Sequence, residues 1–122
     1  MKKIIRFIPA IIWMVVIFYF SSRQTTGIGG DSYWLRFIIL KSFHIAEYCF
    51  LFLSIAFGFK FKSNLISIII SYFYGCTDEF HQTFIPGRTG RLRDTFFDLS
   101  GILIGFLLIK LITHFWKPKT NA

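Results

Sequence analysis

Charge is what this chain has least of. Of its 122 residues only 16% are Asp, Glu, Lys or Arg, while 54% are hydrophobic and 20% aromatic. That balance is too apolar for an ordinary soluble domain, and the length allows only one domain. It also excludes a disordered chain, which combines low hydrophobicity with high charge. Cysteine is scarce too. Cys49 and Cys76, the two that occur, both fall in apolar stretches, which excludes a disulfide scaffold and predicts two free, buried thiols. Acidic residues are few as well, six against fourteen Lys and Arg, for a formal net charge of +8. In a polar chain such a surplus would point to nucleic acid, which is bound by a solvated basic face on a folded core. Here the mean hydropathy is +0.58 and the basic residues merely punctuate long apolar runs. The sequence reads as a membrane protein with no nucleic-acid partner.

Four runs are long enough to cross a hydrocarbon core. The first, Ile4 to Phe20 (IIRFIPAIIWMVVIFYF), carries Arg6 close enough to its start to snorkel and Pro9 in its second turn. Lys2, Lys3 and Arg6 would also suit the start of a signal peptide, but the following FSSRQTTGIGG offers no small-residue cleavage site, so the run is read as retained. Ser21 to Arg36 reads as a polar loop, with Tyr33 and Trp34 suited to a membrane interface. The second span begins near Ser42 and ends near Phe59. A short hinge at Lys60, Lys62, Ser63 and Asn64 leads to the third, which is apolar from Leu65 to Tyr74 and then polar through Thr77, Asp78, Glu79, His81 and Gln82. Pro86, Gly87 and Gly90 mark a loop, and the fourth span runs from about Asp94 to Phe115. The expected fold is all-α: one domain, 1–122, forming a four-helix transmembrane bundle with spans at 4–20, 42–59, 65–83 and 94–115.

Four spans put the N-terminus, the Lys60 hinge and the C-terminal tail on one side. That side holds Lys2, Lys3, Arg6, Lys60, Lys62, Lys110, Lys117 and Lys119, eight in all, against Arg23, Arg36, Lys41, Arg88, Arg91 and Arg93, six, on the other. All six acidic residues, Asp31, Glu47, Asp78, Glu79, Asp94 and Asp98, lie on the second side or in the adjoining half of the spans. That half is therefore neutral and the whole surplus sits opposite. By the positive-inside rule both termini are expected in the cytoplasm, and the Arg88 loop outside the plasma membrane.

With that orientation the polar residues of three spans reach one depth, in the outer-leaflet half. His44 and Glu47 fall in the first two turns of span two, Asp78, Glu79 and Gln82 in the last two of span three, and Asp94 and Asp98 in the first two of span four. The pairs His44/Glu47 (i, i+3), Asp78/Gln82 and Asp94/Asp98 (both i, i+4) can each share a helix face. Charges in lipid are costly, so such residues face the bundle interior and find partners, here Arg88, Arg91 and Arg93. The outer N-termini of spans two and four add positive dipole ends to this layer.

Two blocks, KSFHIAEYCFLFLSIAFGF (Lys41 to Phe59) and DEFHQTFIPGRTGRLRDTFFDLSGILIGFLL (Asp78 to Leu108), resemble the signature blocks of VanZ-like membrane proteins, and FYFSS (Phe18 to Ser22) is similar to the end of that family's first span. The resemblance implies that Lys41, His44, Glu47, Tyr48, Asp78, Glu79, Gln82, Pro86, Arg88, Asp94, Asp98 and Gly101 matter to function. Leu40 departs from it, standing where many relatives carry a charged residue. The resemblance further implies a role at the cell envelope in resistance to glycopeptide antibiotics of the teicoplanin type. It supplies no chemistry.

Plain structural readings stand beside these. His44 and Glu47 also suit interhelical hydrogen bonding. Adjacent Asp78 and Glu79 repel each other, a poor arrangement for merely holding helices together, and so point to function. PGRTG reads as a tight turn with Arg88 paired to Asp94 or Glu79, and Gly101 and Gly105 as close helix packing. His44, His81, Glu47, Asp78 and Asp98 have metal-ligand chemistry but no recognised close spacing, so neither metal nor other cofactor is assigned. His81 is equally a candidate partner for Asp78.

The leading expectation is a binding site for a cell-wall precursor or lipid headgroup, formed by Lys41, His44, Glu47, Tyr48, Asp78, Glu79, Gln82, Arg88, Asp94 and Asp98, in which Arg88 takes an anionic group and the carboxylates an amine or sugar hydroxyls. The alternative is an intramembrane hydrolase or transferase acting on a lipid-linked cell-wall intermediate, with Glu79 or Asp78 as general base and His44 as its partner. No nucleophile elbow, Walker motif or zincin pattern supports it. A proton or ion pathway is disfavoured because the other half of the bundle is dry. Aromatic and Gly-rich surfaces permit a homo-oligomer without demanding one.

Overall fold

The computed structural model of the chain describes residues 2–22, 32–85 and 95–115. Among the described residues every regular element is helical: α1 (Lys2–Ile5), α2 (Ile8–Ser21), α3 (Tyr33–Gly58), α4 (Asn64–Gln82) and α5 (Thr95–Phe115). α1 is a single turn, and the other four form an all-α bundle. Three stretches are long and apolar enough to cross a membrane, namely Lys3–Ser21, Tyr33–Gly58 and Thr95–Phe115. α4 has 19 residues, but its polar last turns lower its mean hydropathy below that of its neighbours.

α3 is the central helix, packing on α5, α2 and α4, while α4 also lies on α5 and α2. The apolar core is built from Tyr48, Leu51, Phe52, Ile55 and Ala56 of α3, Ile102 and Ile109 of α5, and Ala10 and Ile17 of α2. Outward positions are equally apolar: Ile11, Val15, Phe43, Phe50, Phe73, Leu107 and Leu111 are all exposed. A bundle apolar on its outside is one whose solvent is lipid. α3 and α5 approach closely at Gly101, where a Cβ would run into the backbone carbonyl of Ile45. Only glycine lets the two backbones meet there. One turn on, Gly105 faces Phe52 and the carbonyl of Cys49.

Three local features differ from the sequence expectation. α3 begins at Tyr33 rather than near Ser42, because Ser32 caps it: the Ser32 side chain accepts a hydrogen bond from Leu35 N at 3.2 Å, satisfying one of the free amides of the first turn. Arg36 and Lys41 do not end the helix, and the segment expected as loop up to Arg36 is helical from Tyr33 onward. His44 therefore lies about three turns along α3 rather than in its first turns. Pro9 sits in the first turn of α2, after a break at Arg6 and Phe7, where its missing N–H removes no helical bond. Cys49 and Cys76 are free but only half-buried.

The α3–α4 connection is tight. Lys60 and Phe61 take left-handed conformations (φ 57° and 60°), and Phe61 N donates to Ala56 O at 2.7 Å. The reversal closes the end of α3 against its own last carbonyls.

A buried polar cluster as the candidate functional site

α4 is built inside out. Its buried positions are Ser67, Ser71, Gly75, Asp78, Glu79 and Gln82, a stripe at helical spacing with no apolar side chain in it. Leu65, Ile66, Ile69, Phe73 and Phe80 are exposed, with Thr77 the one polar side chain beside them. The two serines are satisfied within the helix, Ser67 Oγ donating to Ser63 O at 2.9 Å and Ser71 Oγ to Ser67 O at 2.7 Å. The last turns of the stripe hold the chemistry.

Two other helices meet it. α3 contributes His44 and Tyr48, both buried and four residues apart on one face. α5 contributes Asp98 from its first turn, fully buried at 0% exposure. His44 Nδ1 donates to Asp98 Oδ1 at 3.0 Å, joining α3 to α5. Tyr48 OH donates to Asp78 Oδ2 at 3.1 Å, joining α3 to α4. The His44 and Tyr48 rings lie parallel, 6.4 Å between centroids. Gly75 clears the space between α4 and α5, since a Cβ there would lie 3.0 Å from Asp98 Oδ2.

The result is three buried carboxylates, Asp78, Glu79 and Asp98, one imidazole and one phenol gathered from three helices. His44, Glu79 and Asp98 each offer a ligand atom, all within 4.8 Å of one another, so the three have the composition and spacing to hold a metal ion. Three carboxyl groups buried together call for protons, cations or hydrogen-bond donors around them. Gln82, one turn beyond Glu79, is buried as well, and its Nε2 has no hydrogen-bond partner among the described residues.

The other expected residues lie at the margin or outside the described segments. Lys41 is half-buried with Nζ 5.1 Å from the centroid of the Phe97 ring and 5.8 Å from that of Phe37, a cation on aromatic faces. Glu47 is half-buried, next to Tyr48 in sequence. Pro86, Arg88, Arg91, Arg93 and Asp94 lie outside the described residues, and with them the expected Arg88 pairs. His81 does not partner Asp78. Its Nε2 is 2.9 Å from Ser22 Oγ and its ring stacks on Phe18 at 4.6 Å, which ties the end of α2 to α4.

Sequence reasoning missed several parts of this site. Thr95, buried at the start of α5, meets Tyr72 OH at 3.2 Å, and Tyr74 OH donates to Met14 O, so α4 is also held to α5 and α2. The signal for Gly75 was available, three residues before Asp78 and hence on its face. The grouping of His44, Glu79 and Asp98 left no local signature, because each stands on a different helix.

No curated protein and no solved structure matches the chain. A family model does, the one described as VanZ/LLP1, over residues 6–113, a range that takes in α2, α3, α4, nearly all of α5 and every residue of the cluster. With lipid-facing helices around a polar centre, and a match across most of its length, the chain belongs to the VanZ/LLP1 family of membrane proteins.

Proposed function

We propose that this protein acts at the cell envelope, as a multi-pass protein of the plasma membrane with both termini in the cytoplasm, by holding the polar headgroup of a lipid or cell-wall precursor in the outer leaflet. In this way it contributes to resistance against glycopeptides of the teicoplanin type. The observation that carries the reading is the convergence of His44, Tyr48, Asp78, Glu79, Gln82 and Asp98 from three helices on one buried patch. Intramembrane ionisable groups are expensive, and a patch this acidic suits an amine or sugar hydroxyls. Arg88, on the loop that the count of basic residues assigns to the outside, would take an anionic group of the same ligand.

The test is the resistance phenotype at matched expression. The wild-type chain is expected to raise tolerance to teicoplanin in a susceptible host, and Asp78→Asn, Glu79→Gln and Arg88→Gln are each expected to abolish the gain. Absence of any gain with the wild-type chain, or its retention in all three variants, overturns the assignment.

One observation favours a second reading, an intramembrane hydrolase or transferase on a lipid-linked cell-wall intermediate. His44 is oriented by Asp98 at 3.0 Å and has Glu79 close by, an imidazole–carboxylate arrangement suited to moving a proton. Turnover separates the two readings: a binding protein leaves such an intermediate intact, and an enzyme releases product in excess over its own concentration.

A further inference from the structure

We propose that His44, Glu79 and Asp98 bind a divalent first-row metal ion, with zinc the ion to test. The three ligand atoms are one nitrogen and two carboxylate oxygens, from α3, α4 and α5, and all lie within 4.8 Å of one another. In a closed tetrahedral zinc site, bonds of about 2.1 Å separate neighbouring ligand atoms by roughly 3.4 Å. His44 Nδ1 and Asp98 Oδ1 are already 3.0 Å apart; to ligate through Nδ1 the imidazole carries its proton on Nε2, and the ion takes the place of that hydrogen bond. The widest separation therefore has to contract by little more than about an ångström, within reach of a side-chain rotation at Glu79.

Charge and burial point the same way. Two carboxylates and a neutral imidazole around a doubly charged ion sum to zero, which is the state a low-dielectric interior favours. An independent observation marks the same place as incomplete. Asp98 is fully buried, yet its Oδ2 has no hydrogen-bond partner among the described residues, and neither has the buried Nε2 of Gln82 one turn from Glu79. The imidazole donor argues against magnesium or calcium, which prefer all-oxygen shells, and the lack of thiolate leaves zinc, manganese or iron. Asp78 stays outside the ligand set, its carboxylate held by Tyr48 OH at 3.1 Å, as an outer support to the site.

Three protein ligands leave a coordination position open, as in catalytic rather than structural zinc sites. A water or a headgroup oxygen takes that position, and Gln82 Nε2 supplies a donor for it. This last step rests on the headgroup reading, whereas binding of the ion itself does not.

The experiment uses full-length protein in detergent micelles, stripped with a chelator and titrated with Zn²⁺ alone, with bound metal counted after equilibrium dialysis. The wild-type protein is expected to retain about one ion per chain, and His44→Ala, Glu79→Gln and Asp98→Asn to weaken binding at least about tenfold. His81→Ala and His114→Ala, whose imidazoles lie away from the cluster, are expected to bind as wild type. Absence of binding, unaltered binding in all three ligand variants, or loss on removing His81 or His114 overturns the proposal. Because the ligand variants lose helix-joining contacts, the wild-type protein is also loaded with Co²⁺: a visible absorption spectrum with intensities of a low-symmetry four- or five-coordinate ion is expected, and that of the hexaaqua ion counts against it. No lipid or antibiotic is present, so a negative result here leaves the headgroup reading to stand or fall on the resistance phenotype.

Discussion

Tyr48 spans two tasks with one side chain. Its ring is fully buried beside His44 and its hydroxyl donates to Asp78 Oδ2 at 3.1 Å. Tyr48→Phe keeps the ring and removes the donor, leaving a carboxylate short of a partner where water is scarce. The expected loss is about 0.6–2 kcal/mol of stability, the range for interhelical hydrogen bonds in membranes and for buried groups left unsatisfied. Unfolding of the purified variant in mixed micelles measures it, and unaltered stability would mean that Asp78 is satisfied by other groups. At this scale much of the site was legible. His44, Asp78, Glu79, Gln82 and Asp98 are ionisable or polar residues within otherwise apolar helices, and such residues turn inward and seek one another. Which groups pair was not legible. His81 is as suitable as His44 on chemistry alone, yet the angle of α4 sends it to Ser22 and Phe18.

Helices here are positioned by what they leave out. Gly101 lets α5 lie directly on the Ile45 carbonyl of α3, and that contact sets the depth at which Asp98 meets His44. Gly101→Ala places a methyl against backbone, which cannot swing aside as a side-chain tip can. The expected destabilisation is about 1–3 kcal/mol, as for other overpacked sites, together with a loosened His44–Asp98 pair. Thermal unfolding measures the first effect and the histidine ring resonances of His44 the second. The small-residue spacing of Gly101 and Gly105 announced this contact in the sequence. The start of α3 was harder to read, because Arg36 and Lys41 look like the edge of a span. Their charges are tolerated in a helix whose cap is Ser32 and whose lysine rests over Phe37 and Phe97.

For the molecule as a whole, the decisive quantity is which end of the bundle faces outward. The surplus of Lys and Arg around both termini and the Lys60 hinge predicts that the α4–α5 loop is external. Single cysteines introduced by Gly87→Cys and Gly90→Cys, in a chain with Cys49→Ala and Cys76→Ala, are expected to react with a membrane-impermeant thiol reagent on intact cells, and Asn64→Cys to stay unlabelled. The reverse pattern would put the cluster near the cytoplasm and remove cell-wall ligands from consideration. The helix count was legible in the apolar runs, although only three of the helices are long and apolar enough to cross by themselves. That α4 falls short in apolar character follows from the same residues that make the site.

The inside-out build of α4 also reverses the usual terms of divergence. In a soluble helix the buried stripe drifts among hydrophobic residues and the outer face among polar ones. Here Ile66, Ile69 and Phe73 are free to exchange with any greasy neighbour, whereas Ser67, Ser71 and Gly75 admit little beyond one another, since anything bulkier would push α4 off the helices it serves. On the proposed headgroup reading, the cheapest mutational route to a new specificity runs through the polar end of that stripe, at Gln82.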